Sequence, residues 1–197
     1  MIISKKKDAF GQFLMACYKN DKPYQLIERD DGYIDVSRFS NLYFTKYKNW
    51  SKHEKAAMKY ARGKVLDIGC GAGRHALYLQ NKGLNVLGID NSPLAVKVCK
   101  LRGLKKVKIM SLNEINQFKH SIFNTIMMMG NNFGLFGSFN NAKRMLKELY
   151  KITSPDGLII AETTNPYKTK DSYHLTYHNL NKKQGRMAGA SKNQGQA

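Results

Sequence analysis

The residues best placed to do chemistry in this 197-residue chain are the run Gly69-Cys70-Gly71-Ala72-Gly73 and the carboxylate Asp90. Glycines at alternate positions let the backbone turn sharply and let a ligand lie against peptide groups. A helix beginning just after them would offer free N–H groups to an anion. Asp90 ends an apolar run, Val86-Leu87-Gly88-Ile89, at roughly the 20-residue distance at which a carboxylate grips ribose hydroxyls in nucleotide-binding α/β proteins. Two alternatives fail on residue type. The dinucleotide fingerprint needs a small residue three positions after its second glycine, where Arg74 stands, and no Gly-Lys-Ser/Thr follows the loop as a P-loop requires. The ligand implied carries an unphosphorylated ribose.

Other reactive residues point to less. Cys17, Cys70 and Cys99 are odd in number and lack C-x-x-C spacing, so plain thiols are expected, with Cys70 a small filler between glycines. His174 and His178 stand in a spacing that a helix would convert to one face, but no third ligand is near in sequence and no metal is expected. Tyr43, Tyr47 and Trp50 are candidates for an aromatic wall of a substrate pocket, or else core. Met127-Met128-Met129 reads as buried strand.

From residue 63 to about 162, strands and helices alternate. Strands are expected at Val65–Ile68, Val86–Asp90, Val107–Met110, Ile122–Met129 and, after a Pro155-Asp156-Gly157 turn, Leu158–Ala161. Helices fall at His75–Lys82, after the Ser92-Pro93 cap as far as Gly103, and at Asn140–Lys151. Continuous apolar strands joined by helices mean a parallel sheet covered on both faces, with ligands at the carboxyl ends of the strands. Ahead of this core, residues 8–18 form an amphipathic helix through Phe10, Phe13, Leu14 and Cys17. Residues 20–50 follow as a polar, aromatic connector with a turn at Asp30-Asp31-Gly32 and with Phe39 among its rings. Ser51 and Glu54 then form a capping box. The organisation expected is a helical and aromatic cap over 1–62, a core over 63–165 and a tail over 166–197 whose Gly/Gln-rich end is disordered.

Composition sets the class. Hydrophobic residues at 42% and charged at 24% suit a globular domain, and no apolar run nears the ~18 residues of a membrane span. No signal sequence opens the chain, so a cytoplasmic protein is expected. The net charge of +19 raises nucleic acid as a partner, but the lysines are scattered, with short clusters only at 5–7, 105–108 and 182–183. A solvated Lys-rich surface is the preferred reading, with nonspecific RNA contact beside it.

These motifs resemble a known family. Val65-Leu66-Asp67-Ile68-Gly69-Cys70-Gly71-Ala72-Gly73 is similar to motif I of the class I S-adenosylmethionine (SAM)-dependent methyltransferases, and Gly88-Ile89-Asp90-Asn91-Ser92 to their second motif. Phe123-Asn124-Thr125-Ile126 and Leu149 to Ile160 resemble the approaches to their fourth and fifth strands. Gly130-Asn131-Asn132-Phe133-Gly134 and Tyr177-His178-Asn179-Leu180-Asn181 are similar to a subgroup of small uncharacterised members.

The resemblance implies an α/β, Rossmann-like fold with strand order 3-2-1-4-5, SAM as cofactor and in-line methyl transfer to an acceptor. A small molecule is the acceptor class preferred over RNA, with a SAM-binding protein lacking turnover as a third reading. It implies cofactor contacts at Asp67, Gly69, Cys70, Gly71, Gly73, Arg74, Asp90, Asn91, Ser111, Leu112, Gly130 and Asn131. Substrate contacts are expected at Tyr43, Tyr47, Trp50, Asn132 and Phe133, and Glu162 and His178 are the candidate bases. For Asp67 a purely structural role and contact with the methionine ammonium stay open. For Arg74 so do pairing with the cofactor carboxylate and simple exposure. Three departures stand out: the usual acid near Ser111-Leu112-Asn113 is missing, Asn124 replaces an Asp, and the C-terminal antiparallel hairpin is expected to be absent. The fifth strand would then need cover from the 171–183 segment, the N-terminus or a second copy.

Overall fold

Asp8 begins the described chain's first helix, α1 (Ala9–Tyr18), by accepting the Gly11 N–H at 2.9 Å. The computed structural model describes residues 7–38 and 41–188; the lysines at 5 and 6, Phe39 and the Gly/Gln-rich end from 189 lie outside the described residues. Phe13, Leu14 and Cys17 of α1 are buried where the amphipathic spacing places them.

Residues 20–50 hold more structure than a connector. Strands β1 (Tyr24–Glu28) and β2 (Ile34–Arg38) form an antiparallel hairpin across the Asp30-Asp31-Gly32 turn, with Leu26 opposite Val36. Tyr24, Leu26, Ile34 and Val36 are exposed, so no buried face writes a clear alternation into the sequence, and the strands are short. Two 3₁₀ turns follow, Asn41–Phe44 and Tyr47–Asn49. Helix α2 (Lys52–Met58) then opens on the expected capping box of Ser51 and Glu54.

The core follows as β3 (Lys64–Ile68), α3 (Arg74–Asn81), β4 (Asn85–Asp90), α4 (Pro93–Leu101), β5 (Val107–Ile109), β6 (Phe123–Met128), α5 (Phe139–Ile152) and β7 (Thr153–Ala161). The strands lie in the order β5-β4-β3-β6-β7, every neighbouring pair parallel, which is 3-2-1-4-5 in core numbering. Val65, Leu66, Ile68, Ile89, Ile126, Met127 and Met128 are almost completely buried, as strands covered on both faces require. On one face Leu66, Ile68 and Ile126 pack with Met145 and Leu149 of α5. On the other, Val65 and Met127 pack with Ala76 and Leu79 of α3, Met58 of α2, and Trp50. Helix α1 lies on α4, its Phe13 and Leu14 meeting Ala95 and Val98 and reaching Ala72 of the glycine loop.

Pro155-Asp156-Gly157 is not a turn ahead of the last strand. Helix α5 runs directly into β7, and the tripeptide forms a bulge within it: Phe123 faces Thr153, but Thr125 already faces Leu158. Among the described residues the outer edge of β7 has no ladder partner. The 171–183 segment is a helix, α6 (Ser172–Lys183), tied to the hairpin turn: Arg29 lies 4.2 Å from the ring centres of both Tyr33 and Tyr177, and the Tyr177 hydroxyl meets Asp30 at 2.7 Å. Met187, just beyond α6, donates to the Gly137 carbonyl at 3.1 Å. No helix among the described residues is long and apolar enough to cross a membrane.

Candidate functional site

The glycine loop is held between β4 and the start of α3. Gly69, Gly71 and Gly73 have φ of +68°, +55° and +78°, the left-handed region that side-chain-bearing residues avoid. The N–H groups of Gly69 and Cys70 both point to the Ile89 carbonyl, at 2.9 and 3.1 Å, which folds the loop back over the end of β4. Asp90 completes the turn, its carboxylate accepting the N–H of Gly71 at 2.8 Å and of Ser92 at 2.9 Å. One side chain therefore fixes the loop after β3 and the loop after β4 together. Burial pushes the Asp90 carboxyl above the usual carboxylate range, against the two backbone donors.

A pocket opens at this junction, lined by Ile68, Gly69, Asp90, Asn91, Met110, Ser111, Leu112, Asn113, Leu135 and Asn141. Ile68, Met110, Leu112 and Leu135 give it apolar walls and Asp90 a carboxylate, a lining that can take a flat heterocycle and accept hydrogen bonds from hydroxyls. The Ser111 N–H is engaged by Glu114 at 2.7 Å in a capping box, and its hydroxyl caps Asn113, so neither group is idle at the pocket. Ile68 ends β3 and Met110 follows β5, both at the carboxyl side of the sheet, so their place follows from the topology. Leu135 and Asn141 carry no sequence signal, because they arrive from the segment after β6 and the first turn of α5.

Asp67, at 2% exposure, lies under the loop. Burial, with the charge of Asp90 next in size, lifts its carboxyl to about 7, opposed by a backbone hydrogen bond with Ala76. Cys70 is also buried. Its contact with Cys99, 3.8 Å between sulfurs, and its burial push the thiol well above its ordinary value, so it is no thiolate nucleophile.

Arg74 turns away from the pocket. Its guanidinium pairs with Glu54 and donates to Thr45 Oγ1 at 2.9 Å and the Leu42 carbonyl at 3.0 Å, which ties α3 to the segment ahead of α2. The aromatic candidates sit on the same side: Tyr47 stacks on Tyr78 at 4.4 Å, Trp50 meets Tyr47, Tyr78 and His75 edge-on, and Tyr43 packs against Phe10 and Phe13. None of the three lines the pocket described above. Burial, then the neighbouring Arg74, lowers His75 to about 4, so this imidazole stays neutral.

The loop after β6 closes the other side. Gly130 and Asn131 have φ of +67° and +68°. Asn132 donates from Nδ2 to the carbonyls of Ile68 and Gly69 at 2.9 and 2.8 Å, and Phe133 packs edge-on against Phe136 at 4.9 Å. Asn131 accepts the Thr164 N–H at 2.9 Å. Glu162, just past β7, accepts the Gly130 N–H at 3.0 Å through Oε2 and lies 2.8 Å from His53 Nε2 through Oε1. His178 is elsewhere: its charged and titratable neighbours are His174, Arg29 and Lys182, and burial lowers its basicity.

Sequence reading missed His53 and Asp8. His53 sits inside the capping-box helix and has no motif around it. Asp8 is 1% exposed, and besides capping α1 it accepts Ser92 Oγ at 2.8 Å and the Leu94 N–H at 3.0 Å, so it caps the start of α4 as well. Asn124 accepts the Lys64 N–H at 2.8 Å and donates to Ser154 Oγ at 3.2 Å, the second being a bond that an ionised Asp could not donate.

Comparison with known proteins agrees with this geometry. A family profile described as "Methyltransferase domain" matches residues 66–161. The crystal structure of a SAM-dependent methyltransferase from Bacteroides fragilis in complex with S-adenosyl-L-homocysteine superposes with a TM-score of 0.77 at 29% identity, covering 88% of this chain and 72% of that one. An uncharacterised protein of Methanocaldococcus jannaschii is 30% identical over 135 residues, 67% of this chain and 49% of its own length. A glycine/sarcosine N-methyltransferase of Aphanothece halophytica is 22% identical over 138 residues, 64% of this chain and 52% of its own. The chain spans about half the length of the curated relatives it matches.

Proposed function

Because this chain belongs to the class I SAM-dependent methyltransferase family, we propose that it binds SAM across the carboxyl ends of β3, β4 and β6 and methylates a small-molecule acceptor. The observation that carries the reading is the coupling of the glycine loop to Asp90 beside a pocket whose lining mixes apolar and polar side chains. The residues fit the cofactor: a Cβ added at Gly71 or Gly130 would stand in open space, so both backbones are bare to a ligand. In this reading Asp90 holds the ribose, Met110 and Leu112 flank the adenine, and Asp67 sits under the methionine end. When bound, SAM supplies a methyl group already activated by its sulfonium. The protein's part is to align an acceptor with that methyl and exclude water, a proximity effect that can reach about 7–11 kcal/mol.

A small acceptor is supported by the enclosure of the β6 loop, where Asn132 and Phe133 are tied down rather than splayed open. The A. halophytica relative is named for methylating small amines, which makes amines the first acceptors to try. Nonspecific RNA contact is supported by Lys143, Lys147 and Lys151 on α5, beside the exposed rings of Phe139 and Tyr150. Calorimetric titration tests the cofactor reading: SAM and S-adenosylhomocysteine should bind with one-to-one stoichiometry, and NAD should not. A folded protein that ignores SAM and takes NAD would refute it.

A further inference from the structure

Resting on that reading of the cofactor site, we propose that His53 and Glu162 form the acceptor-side dyad of this protein, with His53 the base that takes a proton from a cationic amine acceptor.

The dyad is built from two distant parts of the chain. His53 comes from the first turn of α2 and Glu162 from the end of β7, and they meet at 2.8 Å between Nε2 and Oε1. The other oxygen of Glu162 accepts the Gly130 N–H at 3.0 Å, so the carboxylate is fixed to the loop whose Asn132 in turn holds the carbonyls of Ile68 and Gly69. The dyad and the glycine loop thus flank the same end of the sheet. Ser51 Oγ also lies near His53 Nε2, at 3.2 Å. Since both neighbours address one nitrogen, this is no Ser-His-Glu relay, which needs the two on opposite nitrogens. With the proton on Nε2 shared toward Glu162, Nδ1 keeps its lone pair, and it has no hydrogen-bond partner among the described residues. The His53 side chain is 68% exposed and Glu162 27%, so an acceptor can reach them.

Charge decides the acceptor class. The chain carries +19 overall, yet this end of the sheet presents a carboxylate whose recorded partners are an imidazole and a backbone N–H. The neighbouring Glu54 is already neutralised by Arg74, and His75 beside it is neutral. Glu162 is therefore a local negative site on a positive protein, and at contact distance it draws a cation. An ammonium cannot attack while protonated. His53 Nδ1 removes its proton, the freed nitrogen lone pair bonds to the methyl carbon, and the carbon–sulfur pair leaves with sulfur. The products are the methylated ammonium and neutral S-adenosylhomocysteine, and the imidazolium returns its proton to water.

The test uses the whole chain with labelled SAM and a panel of amines, glycine, sarcosine and ethanolamine, against their hydroxyl counterparts glycolate and ethylene glycol. At least one amine should be methylated and the counterparts not. His53→Gly should lower kcat on that amine by about a hundredfold or more, leave the SAM Kd within twofold, and recover activity when free imidazole is added. Glu162→Gln should lose kcat with the same unchanged Kd. A structural strap predicts a lower Tm and no imidazole rescue, and that pattern overturns the dyad, as does a fully active His53→Gly. Turnover on the hydroxyl compounds alone, or on none of the panel, overturns the amine assignment. Failure of the unaltered protein to bind SAM would instead sink the cofactor reading itself.

Discussion

Asp90→Asn is the substitution whose consequences can be worked furthest. The amide keeps one acceptor oxygen, so one of the two backbone bonds, to Gly71 at 2.8 Å or Ser92 at 2.9 Å, survives and the loop stays near its place. What goes is the charge and one acceptor. If Asp90 grips the ribose, at least one charge-assisted bond to a hydroxyl is lost, about 1.5–3 kcal/mol, which corresponds to roughly a 10- to 150-fold rise in the SAM Kd. Stability should change less, because losing a backbone bond is offset by removing the repulsion that Asp90 exerts on Asp67. Calorimetry of the variant, with circular dichroism to show that it is folded, measures both. A folded Asp90→Asn protein whose SAM affinity lies within twofold of the parent would remove Asp90 from the ribose site and leave it only the backbone turn.

Asp67 should make stability fall as pH rises: its carboxyl titrates near 7 in the folded chain and near 4 when unfolded, so between those values the folded state holds a proton that the unfolded state has lost. Asp67→Asn should flatten that slope and raise stability above pH 7, by on the order of 2–4 kcal/mol in urea unfolding; an unchanged pH profile would contradict it. Asp8→Ala should cost about 2–4 kcal/mol, since it uncaps α1 and α4 together and strands the Ser92 and Leu94 donors, and a loss below 1 kcal/mol by the same assay would refute the double cap. RNA should bind without sequence preference and weaken steeply from 50 to 200 mM salt, and a salt-resistant, selective complex would promote RNA to the acceptor. The outer edge of β7, without a ladder partner among the described residues and with Ile159 exposed, should drive self-association at high concentration, and sedimentation showing a monomer throughout would count against it.

The sheet was legible because its strands are buried on both faces and so are written as unbroken apolar runs, each stopped by a glycine, a cap or Asp90. The same logic explains the losses. The β1–β2 hairpin exposes Leu26, Ile34 and Val36 and left no buried face to read. Arg74 follows the glycine loop in sequence, but its partner Glu54 lies on α2, and only folding shows that the guanidinium is taken. Tyr47 and Trp50 had the right chemistry for a pocket wall; in the fold Tyr47 stacks on Tyr78 and Trp50 meets His75 edge-on, both on α3. Glu162 was visible as a strand-end acid, whereas His53 became meaningful only when α2 was laid against the end of β7. Local motifs, in short runs of chain, could be read; pairings between segments 20 to 109 residues apart could not.

The most direct test of methyl transfer is to incubate the protein with methyl-labelled SAM and a cell extract separated into small-molecule, RNA and protein fractions. Label should pass to a compound in the small-molecule fraction and should do so less with Asp90→Asn. Label confined to RNA or protein, or none transferred by a chain that binds SAM, would contradict the account.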